Sequence, residues 1–266
     1  MLGCSPSSTR EPSSSARSGP DGGTQLMAER RAPSRAGEWR APVALIALCA
    51  IPLLAGSVRL ATLAAGATVT PENARFFGAP APVVLHVLSV ATFIVLGAFQ
   101  FVPGIRRRTP GWHRRMGRVL VVAGLVAALS GLWMSQFYAL PAHDGVLLYV
   151  FRMFFGTLMV VSILLAFAAI RRREVSRHRA WMMRAYAIGL GAGTQVFMLL
   201  VGEIILGPPG TFARALLMGG AWVLNLAIAE WVIRRRPSRG VRPVRANAAN
   251  SQTTVLLPAP VEAGQS

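Results

Sequence analysis

The chain has 266 residues, 53% of them apolar and only 14% charged, against roughly a quarter charged in an ordinary soluble domain. Its formal charge of +18 is carried by arginine with no lysine, in short clusters between apolar stretches. That distribution argues against a soluble globular enzyme and against a nucleic-acid-binding face, and the partner it implies is a lipid bilayer.

Residues 1–40 are rich in Ser, Gly, Pro and Arg, have no apolar periodicity, and are expected to form a disordered tail. No apolar run occurs there, so it does not read as a cleaved signal peptide, and Met27 offers an alternative start. Cys4 lies in this tail and Cys49 in an apolar stretch. No CxxC or zinc spacing occurs, so neither a disulfide nor a metal site is expected.

Six apolar segments follow, at about 42–65, 80–102, 118–140, 146–170, 181–206 and 212–233. Each is near the roughly twenty residues a helix needs to cross a bilayer. The runs are continuous rather than alternating, so a β-barrel is excluded. The expected fold is an all-α polytopic membrane protein: a six-helix bundle over 41–234 and a second disordered tail over 235–266.

Arginine placement sets the orientation. Arg30, Arg31, Arg35 and Arg40 precede segment one, and Arg106, Arg107, Arg108, Arg114 and Arg115 follow segment two. Arg171, Arg172, Arg173, Arg177 and Arg179 follow segment four, and Arg234, Arg235, Arg236 and Arg239 follow segment six. The intervening loops hold only Glu72 and Arg75, then Asp144, then no charge. By the positive-inside rule both termini are expected in the cytoplasm, with the protein in a bacterial inner membrane.

Pro52 lies inside segment one and is expected to bend it. Gly189 and Gly193 form a small-xxx-small pair suited to close packing in segment five. No inverted repeat and no second broken helix is visible, which weighs against a transporter. Gly189-Leu190-Gly191-Ala192-Gly193 follows no strand and is not a dinucleotide loop, and no hydrolase, P-loop or metalloprotease motif occurs.

Ionisable or amide residues inside spanning helices are functional hypotheses by default. Folding the six segments back and forth brings Arg59, His86, Gln136, Arg152 and Glu203 to one level, the outer third of the bilayer. They are expected to form an outward-facing polar pocket for a small molecule, or a structural network in which Glu203 neutralises Arg152.

The four histidines pair by depth: His86 with His143 near the outer face, His113 with His178 near the inner face. Two imidazoles facing each other across a bundle can ligate haem b, and Arg114, Arg118, Arg179 and Arg184 are available for its propionates. The competing reading makes His113 and His178 interfacial anchors beside Trp112 and Trp181. His86, His113, His178, Arg118 and Arg184 are therefore the candidate cofactor residues, and haem b the candidate cofactor. The placement resembles cytochrome b561, whose haem ligands come from successive helices near each face. His143 departs from that pattern, because it falls in a loop.

A second resemblance rests on specific elements: His86 with Gly97-Ala98-Phe99-Gln100-Phe101, then Trp112-His113-Arg114-Arg115-Met116-Gly117-Arg118, then His178-Arg179-Ala180-Trp181-Met182-Met183-Arg184-Ala185-Tyr186. Together these resemble a bacterial multi-pass membrane family catalogued as domain of unknown function 2306, over about 80–206. The resemblance implies the fold and marks residues without implying an activity. The functional expectation is a redox membrane protein, b-type cytochrome-like or quinone-interacting. Its alternatives are a small-molecule transporter or binder using the outer pocket and a non-catalytic accessory subunit.

Overall fold

The computed structural model describes residues 35–235, Ala142 excepted. Every regular element among them is a helix: α1 (Arg35–Leu48), α2 (Ala50–Ala64), α3 (Ala74–Gly78), α4 (Pro80–Gln100), α5 (Pro103–Arg108), α6 (Pro110–Phe137), α7 (Val146–Arg171), α8 (Val175–Gly189), α9 (Gly191–Leu206) and α10 (Thr211–Arg235). Four of them, α4, α6, α7 and α10, are long and apolar enough to cross a membrane. The bent pairs α1/α2 and α8/α9 bring the number to six when each counts as one span. The molecule is an all-α polytopic membrane protein.

Proline and glycine set many boundaries. Pro80, Pro103 and Pro110 each stand at a first helical position, where a missing N–H costs nothing. Gly207 takes φ +74 to end α9, and Pro208-Pro209 prevents continuation. The first helix starts at Arg35, several residues before the expected 42. Trp39 explains part of that extension, because its ring packs edge-on against Phe99 of α4 at 6.0 Å. The expected tails otherwise fall outside the described residues.

The bend in the first span lies at Cys49 rather than at Pro52 itself, and measures 50°. Proline clashes with the carbonyl four residues earlier and cannot donate to it. For Pro52 that carbonyl belongs to Leu48, where α1 ends.

The fifth span contains a break absent from the sequence reading. It bends by 43° at Leu190, between α8 and α9. No proline is involved; Gly189, Gly191 and Gly193 surround the bend. Asn225 of α10 supports it from the side. Its Nδ2 donates to the Ala187 carbonyl at 3.2 Å, and its Oδ1 accepts from the Thr194 hydroxyl at 2.9 Å. Gly193 also brings the two breaks together, since a Cβ there would lie 2.5 Å from the Leu48 carbonyl oxygen and 2.9 Å from Cys49 Sγ. The two bent spans therefore cross at their bends.

Short loops between the later helices make successive spans antiparallel, so the loops carrying arginine clusters collect at one end of the bundle. We call this the arginine-rich end and its opposite the arginine-poor end. Glycine permits the tight crossings: Gly97 faces the Tyr186 ring, Gly124 faces Phe93 and Ile163, and Gly219 faces Phe151. The buried core around Phe93, Ile94, Ile163 and Tyr186 fills the middle of the bundle. The Tyr186 hydroxyl donates to the Ile94 carbonyl at 2.8 Å, so this buried polar group is satisfied.

Candidate functional site: a cavity at the arginine-poor end

A cavity of about 400 Å³ opens between α4, α6, α7, α9 and α10 and reaches from the arginine-poor end to the bend at Leu190. That volume falls within the range of small-molecule sites. Its deep wall is apolar, with Phe93 and Ile94 from α4, Phe155 and Met159 from α7, and Met218 and Trp222 from α10. Trp222 stacks on Phe155 with ring centroids 4.9 Å apart. Ile188, Gly189, Ala192 and Gln195 bring the broken span into the wall. Irregular backbone at membrane depth is tolerated where it is buried in protein or lines a cavity, and here it does the latter.

The polar groups are few and placed by the helices. His86 sits in the second turn of α4 and lines the cavity. Its Nδ1 lies 2.9 Å from the Ala127 carbonyl and 3.2 Å from the Ser130 hydroxyl. A carbonyl only accepts, so Nδ1 carries the proton, and Nε2 is left as the acceptor of the neutral ring. Gln195 donates from Nε2 to the Met218 carbonyl at 3.2 Å, tying α9 to α10 at cavity depth. At the mouth, Tyr138 donates its hydroxyl to the Ala79 carbonyl, and burial pushes that phenol above its ordinary pKa.

Two arginines line the mouth, Arg75 and Arg152. Arg152 donates to Asp144 at 2.6 Å, and Arg214 of α10 donates to the other oxygen of the same carboxylate at 3.1 Å. Asp144 is 2% exposed at its side chain, and the two arginines 26% and 29%. Asp144 thus clamps the start of α7 to the start of α10. Arg75 donates from Nη1 to the Ala139 carbonyl at 3.0 Å. Its guanidinium lies 4.8 Å from the Phe76 ring centroid, and its Nε is buried without a hydrogen-bond partner among the described residues.

The five residues expected to form the outer pocket are not brought together. His86 and Arg152 line the cavity. Arg59 lies 4.4 Å from the centroid of the Phe76 ring, itself a lining residue, and is one step removed. Gln136 is exposed, accepting from the Tyr149 hydroxyl at 2.6 Å. Its neighbour Ser135 lines the cavity, and one helical step turns Gln136 away. Glu203 is exposed and makes no ion pair among the described residues. The expected Glu203–Arg152 pair is replaced by Asp144–Arg152, because a loop acid eight residues away reaches Arg152 directly. Sequence reasoning missed Arg75, Asp144 and Arg214 as site residues. The available signal was their presence near the end of the bundle where arginine is otherwise scarce.

At the arginine-rich end, His113 stands in the first turn of α6 and His178 in the first turn of α8. His113 is near enough to His178, Arg106 and Arg114 to feel their charges. His178 directs Nδ1 at the Ala166 carbonyl, 2.9 Å away, which leaves Nε2 as its other ring nitrogen. His113 Nδ1 is buried without a hydrogen-bond partner among the described residues, as are both side-chain polar atoms of Gln100. Arg184 pairs with Glu230 of α10 and covers the ring of Trp181 on its own helix. Arg118 is exposed. His143 is exposed in its loop. Among the described residues, no three of His, Cys, Asp and Glu gather in a way that would hold a metal ion.

A family described as "Predicted membrane protein (DUF2306)" matches residues 83–233. The match spans more than half of the chain, and the chain belongs to that family. It extends past the expected 206 to include α10, the helix that supplies Asn225, Met218 and Trp222. No curated protein and no solved structure matches the chain, and the likeness to cytochrome b561 has no counterpart in these comparisons.

Proposed function

We propose that this protein is an inner-membrane binder or carrier of a small amphipathic molecule, which occupies the cavity at the arginine-poor end. The arginine-rich end then faces the cytoplasm and the cavity opens outward, as the positive-inside rule favours. One observation carries the reading: a broken span lines a cavity of about 400 Å³ that has an apolar interior and a polar mouth. Discontinuous helices near the bilayer midplane recur at transporter binding sites. The crossing of the two bends at Leu48 and Gly193 supplies a place where both spans can pivot together.

Solvent extraction of the purified protein tests this. The wild-type chain is expected to carry a small molecule that an Ala192→Trp variant, with its cavity filled, does not. Identical small-molecule content in the two proteins would refute the reading. Ser135→Cys, also in the lining, checks the orientation: a membrane-impermeant maleimide should label it from outside intact cells.

A second reading, the redox one, is favoured by His113 and His178. They lie within electrostatic range, His113 Nδ1 has no hydrogen-bond partner among the described residues, and His178 uses Nδ1 on a carbonyl, which leaves its Nε2 as the second nitrogen. Bis-imidazole haem b would use those nitrogens. Its test is the visible spectrum of the purified protein. A Soret band abolished by both His113→Ala and His178→Ala is the expected result, and a featureless spectrum from haem-supplied cells counts against it.

A further inference from the structure

We propose that the cavity's ligand is an amphipathic carboxylate, with its headgroup held between Arg75 and Arg152 and its apolar body against Phe93, Phe155 and Met159. This rests on the cavity reading above and adds the sign of charge and the headgroup.

The charges at the mouth do not balance. Asp144 is the acid that meets Arg152 and Arg214, and both its oxygens are engaged. One carboxylate cannot neutralise two guanidiniums, and Arg75 adds a third cation at the same mouth. Arginine does not relieve such an excess by losing a proton. Glu72 and Glu203, the other acids at this end, are exposed and make no ion pair among the described residues.

Arg75 is half-buried at the mouth and meets no acid among the described residues. Its Nε–H is buried with no acceptor among the described residues, and a buried donor left unmet is costly. The Phe76 ring, flanked by Arg59 and Arg75 at 4.4 and 4.8 Å, helps to hold both side chains in place. Arg152 spends one of its five donors on Asp144 and has others to offer. A planar carboxylate suits the guanidinium fork, which favours it over a more diffuse anion. Beyond the mouth the lining is mostly aromatic, Met and Ile side chains, with His86 and Gln195 as the polar exceptions, so most of the ligand's body is apolar.

The test uses the full chain in phosphatidylcholine nanodiscs and three probes with one tail: octanoate, octan-1-ol and octylammonium. Equilibrium dialysis measures saturable binding above that of empty discs. Octanoate is expected to bind at least tenfold more tightly than octan-1-ol, and octylammonium not at all. Arg75→Gln is expected to weaken octanoate at least tenfold and leave octan-1-ol unchanged. Arg152→Gln should do the same, but it also unbalances Asp144, so Arg75→Gln decides the matter.

Equal binding of octanoate and octan-1-ol, or an unaltered octanoate affinity in Arg75→Gln, would overturn the carboxylate and leave the cavity reading standing. Absence of saturable binding by all three probes also overturns it. The cavity reading falls only if, in addition, the wild type and Ala192→Trp yield the same extract.

Discussion

Arginine occurs at both ends of this bundle, in two different settings. At the arginine-rich end Arg106, Arg107, Arg108, Arg114, Arg115, Arg171, Arg172 and Arg173 are exposed. They need no partner, since charges in the headgroup region are solvated and screened. At the other end Arg75, Arg152 and Arg214 are half-buried; the first two line a cavity, and the last two share one nearly inaccessible acid. The first set is what membrane orientation requires. The second is not explained by orientation and is costly to hold unless the charges are met. Abundance of arginine is thus uninformative here; its depth and its company separate the two ends.

The sharpest way to test that contrast is to remove one acid from each end. Asp144→Asn strands two half-buried guanidiniums, and breaking a buried charge network typically costs about 3 kcal/mol or more. Glu174 at the other end accepts from Arg177 at 3.2 Å, and neither side chain is buried. Glu174→Gln is expected to cost less than about 1 kcal/mol. Thermal unfolding of the purified variants should therefore show a large drop for the first and almost none for the second. Equal drops would mean that the two ends do not differ as argued.

Much of the fold was legible because its signals are summed over many residues. Twenty apolar residues in a row, and an arginine cluster at every second loop, leave little freedom in span number or in which loops share an end. The site was less legible because it depends on single angular steps. Ser135 lines the cavity and Gln136 does not; Gly202 is buried and Glu203 is not. Depth along a helix can be read from a sequence, but azimuth cannot be when every face is apolar. Asp144 escaped notice for another reason: a loop residue was ranked by its loop, whereas its side chain turns back to Arg152. The bend at Leu190 had no proline to mark it, and its support comes from Asn225, thirty-five positions later in the chain.

That bend supplies a second test, of intermediate size. Gly193→Ala would place a methyl group 2.5 Å from a backbone oxygen of the other bent span, which cannot swing aside as a side chain can. Overpacking of this kind costs about 1–3 kcal/mol. Gly117 of α6, at the arginine-rich end, has nothing within 4 Å of its position for a Cβ. Gly117→Ala is expected to be neutral or slightly stabilising, since alanine is the better helix former. If melting shows the two alanines to be equivalent, the spans do not meet at their bends as described.

The smallest effect asks whether the arginine-rich end has a site of its own. Gln100 ends α4 there, with its amide nitrogen and oxygen both buried and unmatched among the described residues. A buried amide without partners opposes folding, and replacing it by an apolar group of similar shape is neutral or favourable. Gln100→Met is therefore expected to raise stability by about 1 kcal/mol, read as a small upward shift of the melting transition. The sign matters more than the size. A rise means that nothing in the native membrane protein answers the amide, and the contrast between the ends stands. A fall means that Gln100 has a partner when the protein is in its membrane. The arginine-rich end, where His113 Nδ1 is also unmatched among the described residues, would then be a binding site as well as an anchor.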